Sequence, residues 1–138
     1  LAMVLTFTVA ANAQTVLKSQ YGLSVDTVTN AATKYLTLSQ TSGSYFKTVS
    51  VAVGVTEISG TTGGTVTCEA SLDGVVWYDV YNTVSNTGAT YSFAPSDVTT
   101  AQSYRFKING WGDKYLRVKY VGTGTMAATI TAKATFIN

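Results

Sequence analysis

The chain has no histidine, one cysteine and one proline, and only 12% of its residues are charged. That charged share is about half the usual one for a soluble domain. Without histidine, the commonest general base and the commonest metal ligand are missing. A lone Cys68 forms neither an intrachain disulfide nor a multi-cysteine zinc site. Nine Lys and Arg stand against seven Asp and Glu, a net charge of +2. So even a balance argues against a nucleic-acid partner. No apolar run reaches the about 20 residues that a membrane-crossing helix needs. Disorder is excluded as well, because 46% of the residues are hydrophobic.

What remains is a β-forming chain. Thr and Val together make up about 30% of it, and both fit pleated strands. Its 138 residues suit one domain with a real core. Val49, Val51, Val53 and Val55 share one face of a long run. Ser50, Ala52, Gly54 and Thr56 share the other, a small-residue face that can lie close against something. Val66, Cys68 and Ala70 alternate with Thr65, Thr67 and Glu69. Asp73-Gly74 is the strongest hairpin signal, with Val75 to Tyr81 returning as the partner strand. Tyr104, Phe106 and Ile108 alternate with Arg105 and Lys107, and Leu116, Val118 and Tyr120 with Arg117 and Lys119. The closing run from Thr125 to Ile137 alternates throughout. Only Asp26 to Thr33 carries a faint helical signal. The spacing predicts an all-β fold, an antiparallel β-sandwich or jelly roll of about eight to ten strands.

Catalytic groups do not assemble into a motif. The carboxylates are few and mostly isolated, and Asp73 reads as a turn former. No Asp-x-Asp pattern suggests calcium, and no glycine-rich turn has phosphate-binding spacing. The expectation is a non-enzymatic protein with no cofactor and no metal. Cys68, between Val66 and Ala70, reads as a small buried hydrophobe. Arg105, Lys107, Arg117 and Lys119 fall on neighbouring predicted strands, where they can line one solvated basic stripe.

The first fourteen residues read as an apolar N-terminal arm or strand, with the single domain expected over 15–138. Leu5, Phe7 and Val9 alternate with Thr6 and Thr8, as in a half-buried strand. Each such side chain left in water forgoes roughly 1.5–3 kcal/mol, so an ordered arm must dock. The alternative is a signal-peptide remnant ending at Ala11-Asn12-Ala13, although a basic leader segment is missing. Nine Tyr and two Trp exceed what a small core needs. Trp77 reads as core or sheet rim. Trp111 sits in Asn109-Gly110-Trp111-Gly112-Asp113, a glycine-flanked tip that predicts exposure, for a protein contact or a stacked sugar.

The segment Gly64-Thr65-Val66-Thr67-Cys68-Glu69-Ala70-Ser71-Leu72-Asp73-Gly74-Val75-Val76-Trp77 resembles a strand–LDGxxW–strand pattern of bacteriophage structural proteins. Tyr115-Leu116-Arg117-Val118-Lys119-Tyr120-Val121-Gly122-Thr123-Gly124-Thr125 resembles the close of the same proteins. The two segments cover about a fifth of the chain, and Cys68 and Glu69 depart from the pattern. The resemblance implies a virion component of β-sandwich type: capsid decoration, head fibre or tail subunit. Its partners would be further copies of itself and other virion proteins. Leu5, Phe7, Val9, Trp111 and Tyr115 are then the interface candidates. The alternative is a secreted or cell-surface bacterial β-sandwich: an adhesin, a pilin-like subunit or a carbohydrate-binding module touching glycan through Trp111.

Overall fold

The computed structural model describes residues 14–19, 23–39, 45–80, 92–97 and 100–138. The described residues form ten strands: β1 (Gln14–Val16), β2 (Asp26–Thr29), β3 (Thr33–Ser39), β4 (Phe46–Gly60), β5 (Gly64–Ser71), β6 (Tyr78–Asp79), β7 (Ser92–Phe93), β8 (Gln102–Trp111), β9 (Tyr115–Gly122) and β10 (Met126–Ile137). They form two antiparallel five-stranded sheets. In the first sheet β10 pairs with β4 and β4 with β8, while β1 and β2 lie end to end along the free side of β10. In the second, β3 pairs with β9 and β9 with β5, while β6 and β7 lie end to end along β5. The molecule is therefore a β-sandwich, as the alternation predicts.

Each sheet turns one side chain in two toward the other sheet, and those residues form the core. Val49, Val51, Val53 and Val55 of β4 face Val66 and Cys68 of β5 and Leu116, Val118 and Tyr120 of β9 in one buried cluster. Burial raises the Cys68 thiol well above its ordinary value, and the charge of Glu69 adds to this. Cys68 is thus a small buried side chain of the core, as its place between Val66 and Ala70 predicts. Tyr120 is fully buried yet keeps its hydroxyl paired, donating to the Gly63 carbonyl at 3.1 Å. Desolvation pushes its pKa up to about 12.

Three sequence expectations are corrected. Asp26 to Thr33 is not helical: Asp26–Thr29 pairs with Ile130–Ala127 of β10, and the chain then turns across to β3 in the other sheet. That turn is fastened by Ala31 N–H donating to the Gly122 carbonyl and by Gly122 N–H donating to the Ala32 carbonyl. A Cβ on Gly122 would lie 2.4 Å from the Thr29 carbonyl oxygen, which is why glycine stands there. The Asp73-Gly74 hairpin is wider than a two-residue turn, since the nearest strand pair is Ala70 with Tyr78. Asp73 Oδ1 accepts from Val75 N–H at 2.8 Å and Val76 N–H at 2.9 Å, and Ser71 Oγ accepts from Gly74 N–H at 2.9 Å. The Val75 and Val76 N–H groups, with the Ser71 hydroxyl donating to Oδ1 at 3.0 Å, hold the Asp73 carboxyl below its usual range. They build a broad, ordered loop in place of a tight one. Finally, Arg105 and Lys107 belong to one sheet and Arg117 and Lys119 to the other. The four cations make no single stripe.

Candidate functional site

On the outer face of the second sheet, Glu69 of β5 lies directly opposite Arg117 of β9. Glu69 is only 5% exposed although it points away from the core. Its Oε2 accepts from Arg117 Nε, and its Oε1 accepts from Lys119 Nζ at 2.8 Å. The bond to Glu69 is the main reason that the Lys119 pKa is raised. Asp79 pairs across β6 with Glu69 and adds negative charge nearby.

Aromatic rings enclose the arginine. Its guanidinium carbon lies 4.1 Å from the Tyr35 ring centroid and 4.0 Å from that of Trp77. Tyr35 comes from β3, on one flank of β9; Trp77 comes from the loop before β6, on the other flank. Planar guanidinium groups stack on aromatic faces while their N–H edges stay available to acceptors. The ion pair thus fixes Arg117, and Arg117 fixes the two rings. Tyr115 continues the row: its centroid is 6.5 Å from that of Trp77 in an edge-on arrangement, and Lys114 Nζ lies 5.6 Å above it. Tyr35 remains 37% exposed. The Thr67 hydroxyl, on the same strand face as Glu69, is buried with no partner among the described residues.

The wide loop adjoins this row. A Cβ on Gly74 would touch the Tyr115 ring at 3.3 Å, so the loop backbone rests against that ring. Leu72 and Val75 are exposed at 67% and 80% on the loop. The face therefore combines flat aromatic surface, a compensated charge cluster and an apolar rim. Among the described residues, no group of three or more metal-ligating side chains occurs.

Of the sequence candidates, Tyr115 lies on this face. Trp111 does not, and its expected exposure is overturned. β8 runs through to Trp111, which pairs with Phe46 and is 1% exposed. Gly110, at φ +69°, breaks the alternation set by Phe106 and Ile108 and lets the indole turn inward. No partner for its N–H exists among the described residues. It lines a cavity of about 240 Å³ beside Asp79, Val80 and Asp113, where burial raises the Asp113 pKa. Trp111 therefore presents no exposed ring to a ligand. Leu5, Phe7 and Val9 lie outside the described residues. Tyr35, Glu69, Trp77 and Arg117 were not among the candidates. One signal was legible: Tyr35 stands on the threonine face of its strand, where a core aromatic has no place.

No protein-family model matches the chain, and no curated protein matches it by sequence. Solved structures do match it in fold. The enzymatically active domain of tailspike protein 4 of bacteriophage CBA120 aligns with a TM-score of 0.57 at 9% identity, over 82% of this chain and 15% of that one. A carbohydrate-binding module, CBM28, specific for non-crystalline cellulose, aligns with a TM-score of 0.54 at 10% identity, over 91% and 80%. The capsid of Triatoma virus aligns with a TM-score of 0.51 at 9% identity, over 92% and 88%. At such identities the likeness concerns the β-sandwich fold. This chain spans only a small part of the tailspike.

Proposed function

We propose that this β-sandwich is a non-catalytic carbohydrate-binding domain working outside the cell, and that the outer face of β3, β9, β5 and β6 is its glycan surface. The observation that carries the reading is the Tyr35–Arg117–Trp77 stack, locked by Glu69. A sugar ring offers C–H groups on one face and hydroxyls around its edge. Rigid aromatic rings receive the former, and polar groups such as Lys119 and Asp79 receive the latter. Pre-ordered rings lose little freedom on binding, which favours affinity. The fold likeness to a cellulose-specific module supports this reading. Tested on a glycan array, the wild-type chain binds a defined set of sugars and Trp77→Ala loses it; an array on which wild type binds nothing rejects the reading.

The loop resemblance to phage structural proteins, with the tailspike and capsid likeness, favours a second reading as a virion component. There the arm carrying Leu5, Phe7 and Val9 would bind neighbouring subunits. Deleting residues 1–9 should then abolish oligomers in light scattering while preserving the β spectrum, and assembly unchanged by the deletion removes that reading.

A further inference from the structure

The opposite face of the sandwich has its own chemistry. Across β10, β4 and β8 the register sets Lys133, Ala52 and Arg105 in one row. Ala52 and its neighbour Ser50 are small, so the row is a trough with a cation on each bank. The trough measures about 320 Å³ and is also lined by Gln14 and Thr135. Ser50 Oγ accepts from Arg105 Nε at 2.6 Å and so aims the guanidinium. Lys107 follows Arg105 on the same face of β8, opposite Ser50. None of the seven carboxylates of the chain lines the trough, and neither Arg105 nor Lys133 makes an ion pair among the described residues.

We propose that this trough is a second binding surface, for an acidic polysaccharide whose carboxylate or sulfate groups meet Arg105 and Lys133. Two cations facing one channel without counter-charge repel each other mildly, and an anionic ligand relieves that cost. Two strand spacings separate their backbones, about 10 Å, which suits successive acidic groups on a chain. Among the described residues, no aromatic side chain lines the trough. Single-stranded nucleic acids are held chiefly by aromatic stacking along a basic groove, so the surface favours an acidic glycan. The proposal uses none of the residues of the aromatic face and stands independently of that reading.

The test is calorimetric titration of the whole chain at low salt with polygalacturonate, dextran sulfate, neutral dextran and single-stranded DNA. Binding of polygalacturonate alone assigns carboxylate as the ligand group, and binding of dextran sulfate alone assigns sulfate. Neutral dextran should not bind at this face. The double variant Arg105→Gln/Lys133→Gln should weaken the polyanion about tenfold, the scale of losing charge-assisted contacts. Trp77→Ala should leave it unchanged. Lys133→Gln alone, which disturbs no hydrogen bond to Ser50, should still weaken it measurably if the double variant misfolds. The proposal is overturned by failure of wild type to bind either acidic glycan, by equal loss in Trp77→Ala, or by tighter binding of the DNA than of both glycans.

Discussion

On one side of the sandwich, Arg117 is boxed in by Tyr35, Trp77 and Glu69. On the other, Arg105 and Lys133 flank Ala52 and meet no carboxylate among the described residues. Both faces rest on the same pattern, a cation alternating with an apolar residue along a strand. The neighbours decide what the cation does. Beside Glu69, Arg117 and Lys119 become scaffolding that orders a surface. Across from alanine, Arg105 and Lys133 keep their charge for a visitor. The comparison separates a cation that builds a site from a cation that is one.

The largest expected effect is on stability. Glu69→Gln leaves Arg117 and Lys119 facing each other without their shared acceptor charge. The expected loss is about 2 kcal/mol in chemical denaturation. It falls short of the cost of a fully buried pair because the Arg117 and Lys119 side chains are 18% and 30% exposed. A loss within experimental error would mean that the ion pair does not order the face. Next comes binding: Trp77→Ala should lower glycan affinity at least about tenfold, the worth of one stacked anchor. The polyanion affinity of the trough serves as the internal control.

A smaller contrast separates two lysines. Lys119, tied to Glu69 with its pKa raised, should acylate more slowly than the exposed Lys133, as read by mass spectrometry after limited acetylation. The same shift gives a pH dependence. A cation stabilised by folding contributes fully below its unfolded value, here 10.5, and the contribution fades as pH rises through the higher folded value. Tyr120 acts in the same direction, because its neutral form is favoured in the fold. Stability should fall between pH 10 and about 12 as the unfolded chain releases that proton first. Thermal melts across that range test both. The smallest effect is Lys133→Gln, which should change stability by less than about 0.5 kcal/mol while weakening polyanion binding.

Much of the fold was legible because burial on one side imposes strict alternation. Val49 to Val55, Val66 to Ala70 and Leu116 to Tyr120 announce which way each strand faces, and the core contains them as expected. Trp111 was misread for a local reason: a glycine at positive φ reverses facing, and the sequence pattern shows the glycine but not its dihedral. The basic stripe was misread for a global one. β8 and β9 are consecutive, and consecutive strands usually pair, but here the connection crosses between sheets. The aromatic site was hidden for the same cause. Tyr35, Glu69, Trp77 and Arg117 are scattered over more than half of the chain, and only the order β3-β9-β5-β6 gathers them.

The end-to-end placement of β1 with β2, and of β6 with β7, also governs how copies of this molecule behave when crowded. A sheet edge is a template for a foreign strand, and its hazard grows with uninterrupted length. Here one edge of each sheet is cut into segments of two to four residues. Of the two uninterrupted edges, β3 is bridged by Lys18 at Thr37, and β8 carries Arg105 and Lys107, whose like charges repel a second copy. A chain so rich in Thr and Val would otherwise be prone to stacking into fibres. Interrupted borders of this kind leave a foreign strand little to pair with.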